Sequence, residues 1–149
     1  MKESYHIQLS QTCFDNVVSV QDEDYVSEFS SYALKLPALL FNNGLYSTLI
    51  YLLNLFTDKD NNIKQRNAAL QIFKALLCSS QQVFPQLYKF EILYDQNNER
   101  DGNLNELEKA ETINRIQISD DNYLIASKIA LESAQWIKRF SQSVLDKDL

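Results

Sequence analysis

From Leu36 to Phe56 the sequence carries no charged residue, and Asn42, Asn43 and Gly44 stand in the middle of that run. No other feature restricts the fold as much. A membrane-crossing helix needs about 20 predominantly apolar residues without interruption. Here Pro37 interrupts near the start and Asn-Asn-Gly interrupts at the centre. Asn-Gly is a breaker pair, and glycine is favoured just past a helix end because it tolerates positive φ. The run therefore reads as two packed helices meeting at Gly44 rather than as one span.

Periodicity on each side supports this reading. Over residues 25–42, Tyr25, Phe29, Tyr32, Leu36 and Leu40 fall on one face, with Glu28, Ser31, Lys35 and Asn42 opposite. Over residues 45–56, Leu45, Leu49, Leu52, Leu53 and Phe56 make a stripe, with Ser47 and Asn54 behind it. Steps of three and four residues describe amphipathic helices packed on a core. Pro37 lies within the first of them and is expected to kink it or to start a new turn.

The remaining chain is read in the same way. Residues 4–20 form a first, weaker helix, and Gln21-Asp22-Glu23-Asp24 a loop whose acids favour the next helix N-terminus. Residues 61–79 form a helix with Ile63, Ala69, Leu70, Phe73, Leu76 and Leu77 inward and Lys64, Asn67, Gln71 and Lys74 outward. Pro85 ends it, residues 95–103 are a polar loop, and residues 104–115 are an acidic helix. The last helix starts at Ser119 as N-cap, with Asp120 and Asp121 in its first turn. Its apolar arc is Ala126, Ile129, Ala130, Ser133, Trp136, Ile137, Phe140 and Val144, and its opposite face Lys128, Glu132, Gln135, Arg139 and Gln142. No strand shows sustained alternation. Only two Gly and two Pro occur in 149 residues, too few for a turn-rich fold. The expectation is an all-α, single-domain bundle of five to six helices spanning residues 1–149.

Few chemistries remain open. His6 is the only histidine and reads as a solvent-exposed residue of a terminal segment, with no nucleophile and orienter converging on it. Two glycines cannot build a GxGxxG or Walker loop. Cys13 and Cys78 lie far apart and in no CxxC pair, which points away from zinc or a disulfide framework and toward a reducing cytosol. The opening "MKESYHIQLSQ" lacks a signal-peptide core, so a cytoplasmic protein is expected. Asp58/Asp60 and Asp120/Asp121 lie at helix ends and read as caps. "NNERDGNLNELE" (97–108) matches a calcium loop in part, with Asp101, Gly102, Leu104 and Glu108 in register, but Asn97 stands where Asp belongs. A solvated acidic loop is the default there. No cofactor or metal, and no enzymatic activity, is expected.

The net charge is −6, unevenly spread: −4 over 1–24, +3 over 25–90, −6 over 91–124 and +1 over 125–149. A free-standing nucleic-acid binder is usually basic overall, so any RNA contact here is through a local patch within a larger assembly.

Two stretches then stand out, "YALKLPALLFNNGL", with Leu36-Pro37 and Asn43-Gly44-Leu45, and "ALESAQWIKRF", with Trp136, Lys138, Arg139 and Phe140. Together they resemble the small helical subunit of the Cmr complex, the type III-B CRISPR RNA-guided effector. The resemblance covers residues 25–56 and 119–145. Residues 80–118 are longer and more acidic than the family core, which marks them as a candidate lineage-specific insertion. The resemblance implies a non-catalytic scaffold that stacks with further copies of itself against the backbone subunit. In that role it helps hold the guide RNA paired with target RNA, and cleavage is left to other subunits. By match to the family motif, Lys35, Lys138 and Arg139 would contact RNA phosphates or a partner; Lys64, Lys74 and Lys128 join them by helix-face geometry alone. Pro37, Asn43, Gly44, Leu45, Trp136 and Phe140 are structural, with Gly44 the helix break and Trp136 a core anchor. The rival readings are the small subunit of the related type III-A complex, and a helical protein–protein adaptor with a degenerate calcium loop at 97–108.

Overall fold

The computed structural model describes residues 2–83, 89–92, 113–117 and 120–145. Four helices form a single all-α bundle: α1 (Lys2–Val18), α2 (Val26–Thr57), α3 (Ile63–Val83) and α4 (Asp120–Phe140), with α4 running on into a π-helical turn, Ser141–Leu145. The expected five to six becomes four among the described residues, with α2 counted once although it holds the two helices that meet at Gly44, as the sequence predicts. The end of the helix expected over residues 104–115 is not helical. Ile113–Gln117 is a strand, β2, paired antiparallel with β1 (Lys89–Ile92) in a two-stranded ribbon with Lys89 opposite Gln117 and Ile92 opposite Ile113. The rest of that expected helix, the loop at 95–103, the calcium-loop match at 97–108 and Ser119 lie outside the described residues, as do Pro85 and most of 80–118.

The core is built from one row per helix. In α1, Leu9, Cys13 and Val17 recur every four residues and are fully buried. In α2, Phe29, Ala33, Leu36 and Leu40 form the inner row before Gly44, and Leu45, Leu49, Leu52 and Phe56 continue it beyond. Helix α3 departs from the one-faced reading. Ile63 is 55% exposed, whereas Ala68, Ala69, Leu70, Ile72, Phe73, Ala75, Leu76 and Leu77 are all buried. The reason is position: α3 packs against α1, α2 and α4, so most of its circumference faces neighbours and only a strip near Lys64, Asn67, Gln71 and Lys74 is left outside. The Phe56 and Phe73 rings meet edge to face at 5.1 Å.

Local chemistry sets the ends and the break. Pro37 lies inside α2 without ending it; its missing N–H leaves the Ala33 carbonyl without the usual partner. Gly44 has φ 83 and ψ 168, a region open only to glycine. Past the break, the Thr48 hydroxyl donates to the Gly44 carbonyl (2.8 Å) and the Tyr123 hydroxyl of α4 lies 3.4 Å from the Tyr46 amide. At the far end of α2, Asn61 Nδ2 donates to the Leu55 carbonyl (3.1 Å) and Arg66 Nε to the Phe56 carbonyl (3.0 Å), serving groups that a helix C-terminus leaves open. Asp58 accepts from the Asp60 amide (2.9 Å), and Asn62 caps α3 by accepting from the Gln65 amide (2.8 Å).

Candidate interaction surface

Three helices meet at a small polar seam. The Cys13 thiol donates to the Ser133 carbonyl at 3.7 Å, Asn16 Nδ2 donates to the Ser79 hydroxyl at 3.0 Å, and the Ser80 and Ser133 hydroxyls lie 3.4 Å apart. Ser80 and Ser133 also donate back to Leu76 and Ile129 one turn earlier in their own helices, which satisfies hydroxyls that are wholly buried. Small side chains here let α1, α3 and α4 approach closely. Burial pushes the Cys13 thiol up to about 11, against the opposing pull of its contacts with Ser79 and Ser133.

Above the seam, α1 and α4 are clasped from outside. His6 Nδ1 lies 2.7 Å and 2.9 Å from the two carboxylate oxygens of Glu132. His6 is exposed, as the sequence predicts, yet it has a partner 126 positions away. No local pattern signals such a pair. The Tyr5 ring lies tilted against His6, 3.8 Å between centroids, and its hydroxyl is pushed up by burial and by the Glu132 charge.

Farther along α4, Trp136 is not the buried anchor expected. It is half-buried and packs against the edge of the core, with the Phe140 ring stacked on it at 5.4 Å. Phe14 of α1 meets Phe140 edge-on at 5.2 Å. Arg139 does not point away from the aromatic arc either: its guanidinium lies 5.5 Å from the Trp136 ring centroid. Residues three apart share a helix side, and the cation settles over the ring face. An open groove of about 500 Å³ runs beside this cluster between Phe14, Asp15, Ser10, Gln11 and Phe140.

The remaining basic residues are spread over separate faces. Lys35 is exposed on the outer side of α2, Lys64 on the first turn of α3, and Lys128 on α4, while Lys74 and Lys138 are half-buried. Lys128 and Arg139 are eleven positions apart and share one side of α4. Lys138 sits about 100° around the helix from Arg139, so the adjacent pair does not form one patch. Lys64 and Lys74 share the outer strip of α3. Among the described residues no carboxylate pairs with Lys35, Lys64, Lys128, Lys138 or Arg139. No group of three His, Cys, Asp or Glu among the described residues could hold a metal.

The described residues define a small all-α bundle with a filled core and an open groove beside its aromatic cluster. The family model of CRISPR-associated protein (Cas_Cmr5) matches residues 6–144, and the chain belongs to that family. It is a small subunit of the Cmr CRISPR-associated complex, and membership implies assembly with other Cmr subunits. No curated protein matches the sequence. The match runs through α1, α3 and the ribbon as well as the two stretches from which the resemblance was read.

Proposed function

We propose that this chain is a non-catalytic scaffold of a cytoplasmic type III-B antiviral effector. It stacks with copies of itself along the backbone subunits and helps hold the guide RNA–target RNA duplex. The observation that carries this reading is the family match together with lysines that have no carboxylate partner on the outer faces of α2, α3 and α4. An unpaired lysine is free to neutralise a phosphate, and an RNA duplex is held mainly by shape and phosphate contacts. Sequence reading is then left to base pairing between guide and target. The adaptor reading has no comparable support, since its calcium loop lies outside the described residues.

The test is reconstitution of the Cmr complex with a Lys35→Ala/Lys138→Ala/Arg139→Ala chain. The variant is expected to fold and to enter the complex, which then retains target RNA less well. Failure to assemble would move these residues to protein contacts. If assembly and RNA retention are both unchanged, the RNA role of these residues is refuted.

A further inference from the structure

We infer that Gly44 is a hinge through which two copies of this chain exchange halves, with α2 broken in the single copy and straight in a domain-swapped pair. This exchange does not depend on the scaffold reading. Within Val26–Thr57, Gly44 alone has non-helical φ and ψ. The two halves of α2 therefore turn on one residue, with no loop between them, and short hinges of this kind invite exchange. The spacing of the buried residues shows what a straight α2 would do. Phe29, Ala33, Leu36 and Leu40 step by four, three and four, and Leu45, Leu49, Leu52 and Phe56 repeat that pattern; all eight are buried. From Leu40 to Leu45, across the break, the step is five. At about 100° per residue, a straight helix sets the two rows roughly 140° apart, on nearly opposite sides.

One bundle can bury only one such row. The break at Gly44 turns the second row back onto the same core. A straight α2 needs a second core, and a second copy holds the matching one. Helix α1 packs on α3 and α4, and so does α2. Each contact between the chain before Gly44 and the chain after it can therefore be made between two copies as well as within one. Only the hinge itself differs between the two forms. Two groups weight it toward the single copy. Glycine is the residue that fits φ 83 and ψ 168, and it costs a helix interior more than alanine does. The Tyr46 amide donates to the Tyr123 hydroxyl at 3.4 Å; in a straight helix it would donate to the Asn42 carbonyl, four residues back. Tyr123 is thus a latch that serves the broken form alone.

The experiment refolds wild type, Gly44→Ala and Tyr123→Phe over a range of protein concentrations. Sedimentation reads the oligomeric state and circular dichroism the helicity. Wild type is expected to be mainly single copies. Gly44→Ala should keep its helicity and form pairs with a dissociation constant lower by about tenfold or more, since each pair contains two hinges. Tyr123→Phe should shift the same way by less. To identify exchange, His6→Cys/Glu132→Cys is added to each chain. These positions touch at 2.7 Å and stand on either side of the hinge. A short bismaleimide then links them between chains in an exchanged pair, which runs as a dimer on a denaturing gel, and peptide mapping locates the link. In two closed copies that merely adhere, the same link falls within one chain. The inference is overturned if Gly44→Ala stays single at every concentration, if it unfolds instead of pairing, or if its pairs carry the link inside one chain.

Discussion

At φ 83 and ψ 168, Gly44 occupies backbone space that a side chain makes costly. A Cβ there would meet only the Tyr123 hydroxyl, at an ordinary 3.5 Å, so the penalty of substitution is conformational rather than steric. Gly44→Val should therefore cost about 1–3 kcal/mol, read as a lower melting temperature; an unchanged one would mean α2 can run through. Cys13 gives a second residue-level prediction. Its thiol ionises near 11 in the fold against an ordinary 9.0, so between those values the unfolded chain has released a proton that the folded chain keeps. This contribution is fully present below pH 9 and is lost as pH rises toward 11. Burial raises Tyr5 and Tyr32 as well, which acts in the same direction. Denaturant midpoints should fall over that window, and less steeply for Cys13→Ala. Below pH 9, peptide mapping after iodoacetamide treatment should find Cys13 unlabelled until the protein unfolds, because the thiolate is the reactive form. The role of Gly44 was legible in the sequence because only glycine serves an abrupt break in an apolar run. The partner of His6 and the places of Trp136 and Arg139 were not, because each depends on what another helix, or the edge of the core, brings to it.

Among the elements, the amphipathic rows of α2 and α4 were readable because each packs mainly on one side. Helix α3 misled: burial on three sides widens the apolar arc until periodicity no longer marks one face. The ribbon was missed for a different reason. In "INRIQI" the apolar spacing of Ile113, Ile116 and Ile118 suits neither period well, and short runs of this kind are ambiguous between helix and strand. Pairing with Lys89–Ile92 settles it, through a strand remote in sequence. The start of α3 yields a prediction at this scale. Asn62 accepts from the Gln65 amide at 2.8 Å, so Asn62→Ala should lower stability by about 0.5–2 kcal/mol while Asn62→Asp keeps most of it. Chemical denaturation of the three proteins checks the order; an Ala variant as stable as wild type would show the cap to be idle.

For the whole molecule, charge distribution matters more than the net −6. Acids gather in residues 1–24 and 91–124, while the segments holding α2, α3 and most of α4 are positive. On the proposed reading, such a chain would bind RNA weakly when alone and would add a few phosphate-neutralising cations inside an assembly. Within the complex, each of Lys35, Lys64 and Lys128 replaced by Ala should make target-RNA retention less salt-dependent, by at most about one unit of log–log slope for each phosphate left without its lysine. Retention titrated against salt for each variant measures this, and slopes equal to wild type would mark all three as solvated charges.

The ribbon also has a practical consequence for engineering. Ile92 and Ile113 are paired across it, so whatever chain joins them begins and ends within about 5 Å. Closing a longer connection between such fixed ends costs little, about 0.6 kcal/mol for each doubling of its length. A fluorescent reporter or affinity tag spliced between residues 93 and 112 would therefore enter and leave at one point, and α3 and α4 would need to move for neither.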